Sequence, residues 1–544
     1  MPRIAIYGAG VVLLCAYVSA FFLLTPLPLQ DLPGHLARAV AMHDLIFHQG
    51  AQFAAIYRYQ FLFVPYWLGD FLLACLVGWF GPDRASTVWS ILVFLSLPAA
   101  VLFYLRNHRI DITRRSVAAI LSLYLATDWS FLMGFLSYRL AVAMTLVTLS
   151  LADSFRDRSQ RNCAEQIGRP APFVARLRGC VTHFVGFAFA VAVGYLLHFT
   201  TVVFICAALG ASGLLRLWLR RTRLRTEIAL FAPIMLLLLW HFTVVSGYRD
   251  ASDEIAAPSI WGTWSGKLAR LDSPFIRYSP GTDVWMLLLF LASLCALALP
   301  RASDGGRTLD QRIRDFASPE VLEMLALAVA FLAMFFLLPM GYADAFYVDV
   351  RPLPLAIVFL MLALLLVEPR GVSAAALAPD PAAGKPILAV AIGVATLLAS
   401  VNLFYLAKHL ARDRAWLAQY RSVIGSIPVH GRVLPVFTVG SEGTIVPFMH
   451  VDCYVVIDRA GIEPYVFSAD NGNPMKYFRY IHKPYDPHQT WYGDLPRPRI
   501  DWGAVARDYD YVLVTNPYSA DRLAITTTEV NKNGAAALLA IVRR

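Results

Sequence analysis

The sequence predicts a mainly α fold, a polytopic membrane helical bundle of about eleven spans followed by a small C-terminal α/β domain. Three observations predict it. Of 544 residues, 58% are hydrophobic and 15% charged, with mean hydropathy +0.57, whereas a soluble chain carries about 25% charged residues. Apolar runs of bilayer-crossing length recur from residue 4 to residue 407, separated by short arginine-rich loops. From residue 408 that pattern stops, and short apolar runs alternate with loops rich in Gly, Pro, Asn and Asp.

The first run, 4–26, follows a single arginine and has no small-x-small cleavage site after it. It reads as an uncleaved signal anchor with a cytoplasmic N-terminus. Further runs lie at 62–80, 86–105, 116–133, 134–152, 180–197, 199–217, 227–246, 283–300, 321–339, 352–368 and 386–407. The arginines gather in loops 106–115, 153–179, 216–226 and 301–314, which should therefore be cytoplasmic. That parity holds only if 62–80, which contains Pro65, Gly69 and Asp70, does not cross. It reads as a juxtamembrane or re-entrant helix on the outer face. The chain then turns outside at 128–134 and at His198, and its C-terminus lies outside. In a bacterium this is a multi-pass inner-membrane protein with a periplasmic C-terminal domain.

Two domains follow: a transmembrane domain, 1–407, whose outer first loop spans 27–85, and a periplasmic α/β domain, 408–544. The latter has strand-like runs at 432–439, 454–458, 511–515 and 537–542, with a turn at Asp470-Asn471-Gly472-Asn473-Pro474. The Ala- and Pro-rich stretch 371–385 reads as a cytoplasmic linker. The net charge of +10 sits in loops between spans, so it orients the chain and gives no sign of a nucleic-acid partner. Of seven cysteines only Cys453 falls in the C-terminal segment, so no disulfide forms within it, and no CxxC pair is present.

The chemistry concentrates just after the first span, in Leu29-Gln30-Asp31-Leu32-Pro33-Gly34-His35-Leu36-Ala37-Arg38. If Asp31 opens a helix, His35 and Arg38 follow at i+4 and i+7, and all three lie near one face. The inferred outer side also collects Asp70, Asp128, Arg139, His198, His241, Lys267, Arg270, Arg277, Asp344, Asp349 and Arg351. Ionisable groups in or near spans are costly and are functional candidates. Each has a plainer role beside the functional one. Asp31 could cap its helix, His35 could pack, Arg38 could snorkel to headgroups, Arg139 could pair with Asp128 or Asp70, and His198 could cap a turn.

The chain resembles the GT-C superfamily of membrane glycosyltransferases, including protein O-mannosyltransferases and aminoarabinose transferases. The resemblance rests on Asp31 in the first outer loop and on Pro65-Tyr66-Trp67-Leu68-Gly69-Asp70-Phe71-Leu72-Leu73 followed by Trp79-Phe80-Gly81. It also rests on the odd span number with an outer C-terminal domain. It covers roughly 1–370. The resemblance implies a polyprenyl-phosphate sugar donor and an outer-face site in which the first-loop acid, here Asp31, is a catalytic base or metal ligand. Many members carry paired acids; this chain has Gln30-Asp31 alone, with Asp70 and Asp128 as candidate second acids.

The expectation is inverting transfer of a sugar to a periplasmic acceptor, whether lipid, glycan or protein. Asp31 would act as base. Arg351, with Arg139 or Lys267, and the nearby His35, Arg38 and His198 would bind donor phosphate and substrate. No cofactor is implied with certainty; a divalent metal remains open. The alternative is a non-catalytic GT-C-like scaffold or a lipid-linked glycan transporter.

Overall fold

The computed structural model describes residues 3–543 except 60, 62, 109, 111, 165–172, 246–258, 299–317, 343–344, 368–384, 438–447, 467–474, 478–482, 485–499, 516–522 and 524. Asp344, loop 301–314, most of linker 371–385 and the 470–474 turn lie outside the described residues.

The helices run α1 (Arg3–Leu23), α2 (Leu32–Phe47), α3 (Trp67–Phe80), α4 (Pro82–Leu105), α5 (Ile112–Ala126), α6 (Trp129–Leu132), α7 (Leu136–Ala164), α8 (Phe173–Leu197), α9 (Phe199–Trp218) and α10 (Leu224–Trp240). They continue as α11 (Trp264–Leu268), α12 (Pro280–Ala298), α13 (Pro319–Leu337), α14 (Leu353–Leu366), α15 (Lys385–Ile424), α16 (Tyr454–Arg459) and α17 (Trp502–Asp508). The strands are β1 (Tyr57–Tyr59), β2 (Gly341–Tyr342), β3 (Ala345–Phe346), β4 (Val433–Phe437), β5 (Met475–Tyr477), β6 (Tyr511–Thr515), β7 (Thr527–Lys532) and β8 (Ala536–Ile541).

Among the described residues, eight helices are long and apolar enough to cross a membrane, and the apolar helices Gly8–Leu23, α3 and α14 are shorter. The chain is a multi-pass membrane protein. The run 62–80 forms only the 14-residue α3, about 21 Å long. The run 116–133 ends as a helix at Ala126, and the run 386–407 continues as helix to Ile424.

The chain folds as two compact units, 1–17 with 93–129 and 137–404, and 18–92 with 130–136 and 405–544. In the first, several buried polar groups are matched across helices. Arg156 of α7 donates to Glu227 of α10 at 2.6 and 3.0 Å. Arg114 of α5 donates to the carbonyls of Leu365 and Val367, both at 2.8 Å, satisfying groups that the end of α14 leaves open. Asn402, fully buried in α15, uses its whole amide: Nδ2 donates to Tyr17 and Thr127, and Oδ1 accepts from Arg277 and Tyr278.

The second unit holds a mixed sheet of order β4-β6-β8-β7, with β4 and β6 parallel and the other pairs antiparallel. The parallel pair needs a crossover, and α16 and α17 lie within it. Both faces are buried. Val433, Leu513 and Leu538 pack with Leu417, Tyr420, Val423 and Ile424 of α15, while Leu434, Val512, Val514 and Leu539 pack with Val505 and Tyr509. Adjacent residues point to opposite faces with the period of two. Three of the four expected strands form here. The fourth, 454–458, is instead helix α16. It continues a 3-10 turn over Val451–Cys453, and Ala460 in the left-handed region (φ 48°) ends it. A short apolar run buried on all sides carries no period that separates strand from helix. Strand β1, in the first loop, pairs antiparallel with β5, so the first loop and the C-terminal segment share one unit.

Candidate active site

Asp31 is the N-cap position of α2, with Pro33 in the first turn, where its fixed φ suits the helix. The carboxylate makes no side-chain capping hydrogen bond. Backbone elsewhere sets its position. Gln30 N–H donates to the Leu132 carbonyl at 3.2 Å, and Asp31 N–H to that of Met133 at 3.0 Å. Gly134 makes this approach feasible. Its φ is +75°, and a Cβ there would stand 2.7 Å from the Asp31 nitrogen, so only glycine fits both demands.

The C-terminal segment supplies the next contacts. Gln30 Nε2 lies 3.4 Å from Met449 Sδ. His450 Nε2 lies 3.6 Å from Asp31 Oδ1, with both side chains buried. At this distance the two are an electrostatic pair, just beyond direct hydrogen-bond length, and a charged imidazole there would favour the ionised carboxylate. No pattern in the sequence pointed to His450, a lone histidine between Met449 and Val451 in a mostly apolar stretch.

One helical turn on, Arg38 Nη2 donates to His35 Nδ1 and to Asp70 Oδ1, each at 2.8 Å. Burial holds His35 below the ordinary histidine value, against the opposing pull of Asp70. Asp31, His35 and Arg38 share one end of α2, and α3 brings Asp70 to them. This second acid is neutralised by a guanidinium.

The remaining predicted residues belong to the other unit. Arg139 donates to Asp128 at 2.6 Å and to the Leu125 carbonyl at 3.0 Å, which is the structural pairing weighed above. Lys267 Nζ donates to the carbonyls of Phe335, Phe336 and Leu338 at the end of α13. Arg270 pairs with Asp349 at 2.8 Å. His198 caps α9, with Nδ1 accepting from Thr200 N–H at 3.1 Å. The Arg351 carbonyl accepts from the Tyr138 hydroxyl at 2.5 Å, and its guanidinium stands 5.8 Å from that ring.

Among the described residues, the group of three ligand-bearing side chains close enough to hold a metal ion is Asp452, Cys453 and Glu463, just beyond His450. Burial pushes the Asp452 carboxyl up to about 7. It also pushes Glu463 well above the usual range, reinforced by the neighbouring Asp452.

The expected likeness to aminoarabinose transferases holds at the level of fold. The chain is similar to the crystal structure of ArnT, an aminoarabinose transferase, from Cupriavidus metallidurans bound to undecaprenyl phosphate. The TM-score is 0.55 at 12% identity, over 100% of this chain and 99% of that one. It is also similar to the apo structure of ArnT from Cupriavidus metallidurans, with a TM-score of 0.50 at 11% identity, over 99% and 98% of the two chains. No protein-family model and no curated protein matches the sequence.

Proposed function

We propose that this chain is a membrane glycosyltransferase that moves a sugar from a polyprenyl-phosphate donor to an acceptor on the outer face of a bacterial inner membrane. The N-terminus is cytoplasmic and the C-terminal domain, 408–544, periplasmic. The single observation that carries the reading is the pairing of Asp31 with His450. The acid after the first span is buried, makes no capping bond, and faces an imidazole at 3.6 Å. Likeness of the whole fold to ArnT, solved with undecaprenyl phosphate, supports a lipid-phosphate donor.

In this reading Asp31 takes the proton of the acceptor nucleophile, and His450 orients the carboxylate and shares its charge. The acceptor oxygen attacks the anomeric carbon as the bond to the donor phosphate breaks, which inverts that centre. Arg351 stabilises the leaving phosphate. Arg139 and Lys267 act less directly, since their charges already meet Asp128 and the α13 carbonyls. Asp70 is likewise held by Arg38, so the base is a lone carboxylate.

That both candidate second acids are occupied also favours the competing reading, a catalytically silent scaffold. Mass spectrometry of envelope glycans and lipids separates the two. A deletion strain should lose a sugar modification that wild type restores and a stably expressed Asp31→Asn variant does not. Equal restoration by both would overturn the assignment of Asp31 and favour the scaffold.

A further inference from the structure

The strongest group outside the proposed site is the cluster of Asp452, Cys453 and Glu463. Asp452 is 1% exposed, and Cys453 and Glu463 are fully buried. A carboxylate oxygen from each acid and the Cys453 sulfur lie within 4.8 Å of one another. The two acids arrive from different segments. Asp452 and Cys453 stand on the 3-10 turn that opens α16, and Glu463 follows Ala460, whose left-handed backbone folds the chain back. Glu463 is fixed there, with Oε1 accepting from Tyr465 N–H at 2.6 Å.

Two buried carboxylates side by side repel each other and have both left water, so a proton or a cation must offset them. A second, separate observation concerns Asp452 Oδ1. It is buried with no hydrogen-bond partner among the described residues. Glu463 Oε2 is buried in the same way; one proton shared between these two oxygens would meet both and leave the thiol unused, whereas a metal ion takes up the lone pairs of both acids and of the Cys453 sulfur directly. The thiol chooses among metals. Sulfur is a poor ligand for magnesium or calcium and a good one for zinc, and Zn–S and Zn–O bonds of about 2.0–2.3 Å suit a pocket this tight.

We propose that Asp452, Cys453 and Glu463 form a buried structural site for a soft divalent cation of the zinc class. Binding displaces the thiol proton and any proton shared by the carboxyls. Three anionic ligands around a dication leave one negative charge, on which the exposed Lys483 acts weakly through Glu463. The site would lock the 3-10 turn and α16 to the chain after Ala460. It stands whether or not Asp31 transfers a sugar.

The test uses the full-length protein purified in detergent without chelator. Mass spectrometry of metals should find about one zinc per chain, as a single site of this kind holds one ion. Chelation should lower the unfolding temperature by several degrees, and micromolar zinc should restore it while millimolar magnesium does not. Cys453→Ser and Asp452→Asn should each abolish the zinc-dependent shift. A wild-type protein that carries no stoichiometric divalent metal, and whose chelated form does not respond to zinc, would overturn the site and leave a shared proton in its place. That wild-type measurement decides the matter even if both variants fail to fold.

Discussion

The imidazole of His450 stands 3.6 Å from the carboxylate of Asp31, and both are buried in the same compact unit. Neither residue completes this arrangement alone, which gives paired expectations for transfer activity. Asp31→Asn should lower turnover by about 10²–10⁴-fold, the usual span for a lost general base, with unfolding unchanged. His450→Ala should lower it less and shift the acid limb of the pH–rate profile. Assays of sugar transfer in detergent or membranes read both, and an unshifted profile in the histidine variant would remove His450 from the proton path.

Gly134 provides a test that touches no ionisable group. Its Cβ would fall 2.7 Å from the Asp31 nitrogen at a φ of +75°. Gly134→Ala should cost about 1–3 kcal/mol of stability and reduce activity by displacing Asp31. Thermal unfolding and transfer assays should move together; unchanged stability would mean that the 132–134 turn yields easily.

The Arg38–Asp70 pair separates structure from binding. Arg38→Ala leaves the buried Asp70 carboxylate without its guanidinium, a loss of about 3–5 kcal/mol. If neutralising Asp70 is the main task of Arg38, Arg38→Ala combined with Asp70→Asn should recover most of that loss. A double variant that regains stability but remains inactive would point to a direct role of Arg38 on substrate.

The Asp452–Glu463 pair makes stability depend on pH. The Asp452 carboxyl sits at about 7 in the folded protein, against 3.8 for an ordinary aspartate, chiefly through burial. From about pH 4 to about pH 7 the folded chain therefore holds a proton that the unfolded chain has released. Stability from this group is fully present below that window and is lost as pH rises through it. Chelated protein should show this fall in unfolding temperature, and Asp452→Asn should flatten it.

Local patterning revealed the parts of this fold that depend on local physics. Apolar runs gave the helices, arginine loops suggested orientation, and the i, i+4, i+7 spacing brought Asp31, His35 and Arg38 to one end of α2. Partners distant in sequence stayed hidden. His450 has no pattern around it, and Asn402 sits in an apolar run whose four tertiary hydrogen bonds leave no local mark. The residues 454–458 read as a strand because β-branched and apolar side chains dominate, yet the helical turn already started at Val451 sets their backbone. His198 and Lys267 were singled out for charge, and the structure uses both at helix ends.

Gln30 and Met449 touch although they lie 419 positions apart in the sequence. A ribosome inserting this chain releases Asp31 into the membrane early and makes the stretch around His450 only in the last part of synthesis. Throughout that interval the first loop lacks its closing partner. A protein truncated before Met449 would insert its spans and still never bring an imidazole to Asp31, so this contact comes into being only as translation nears its end.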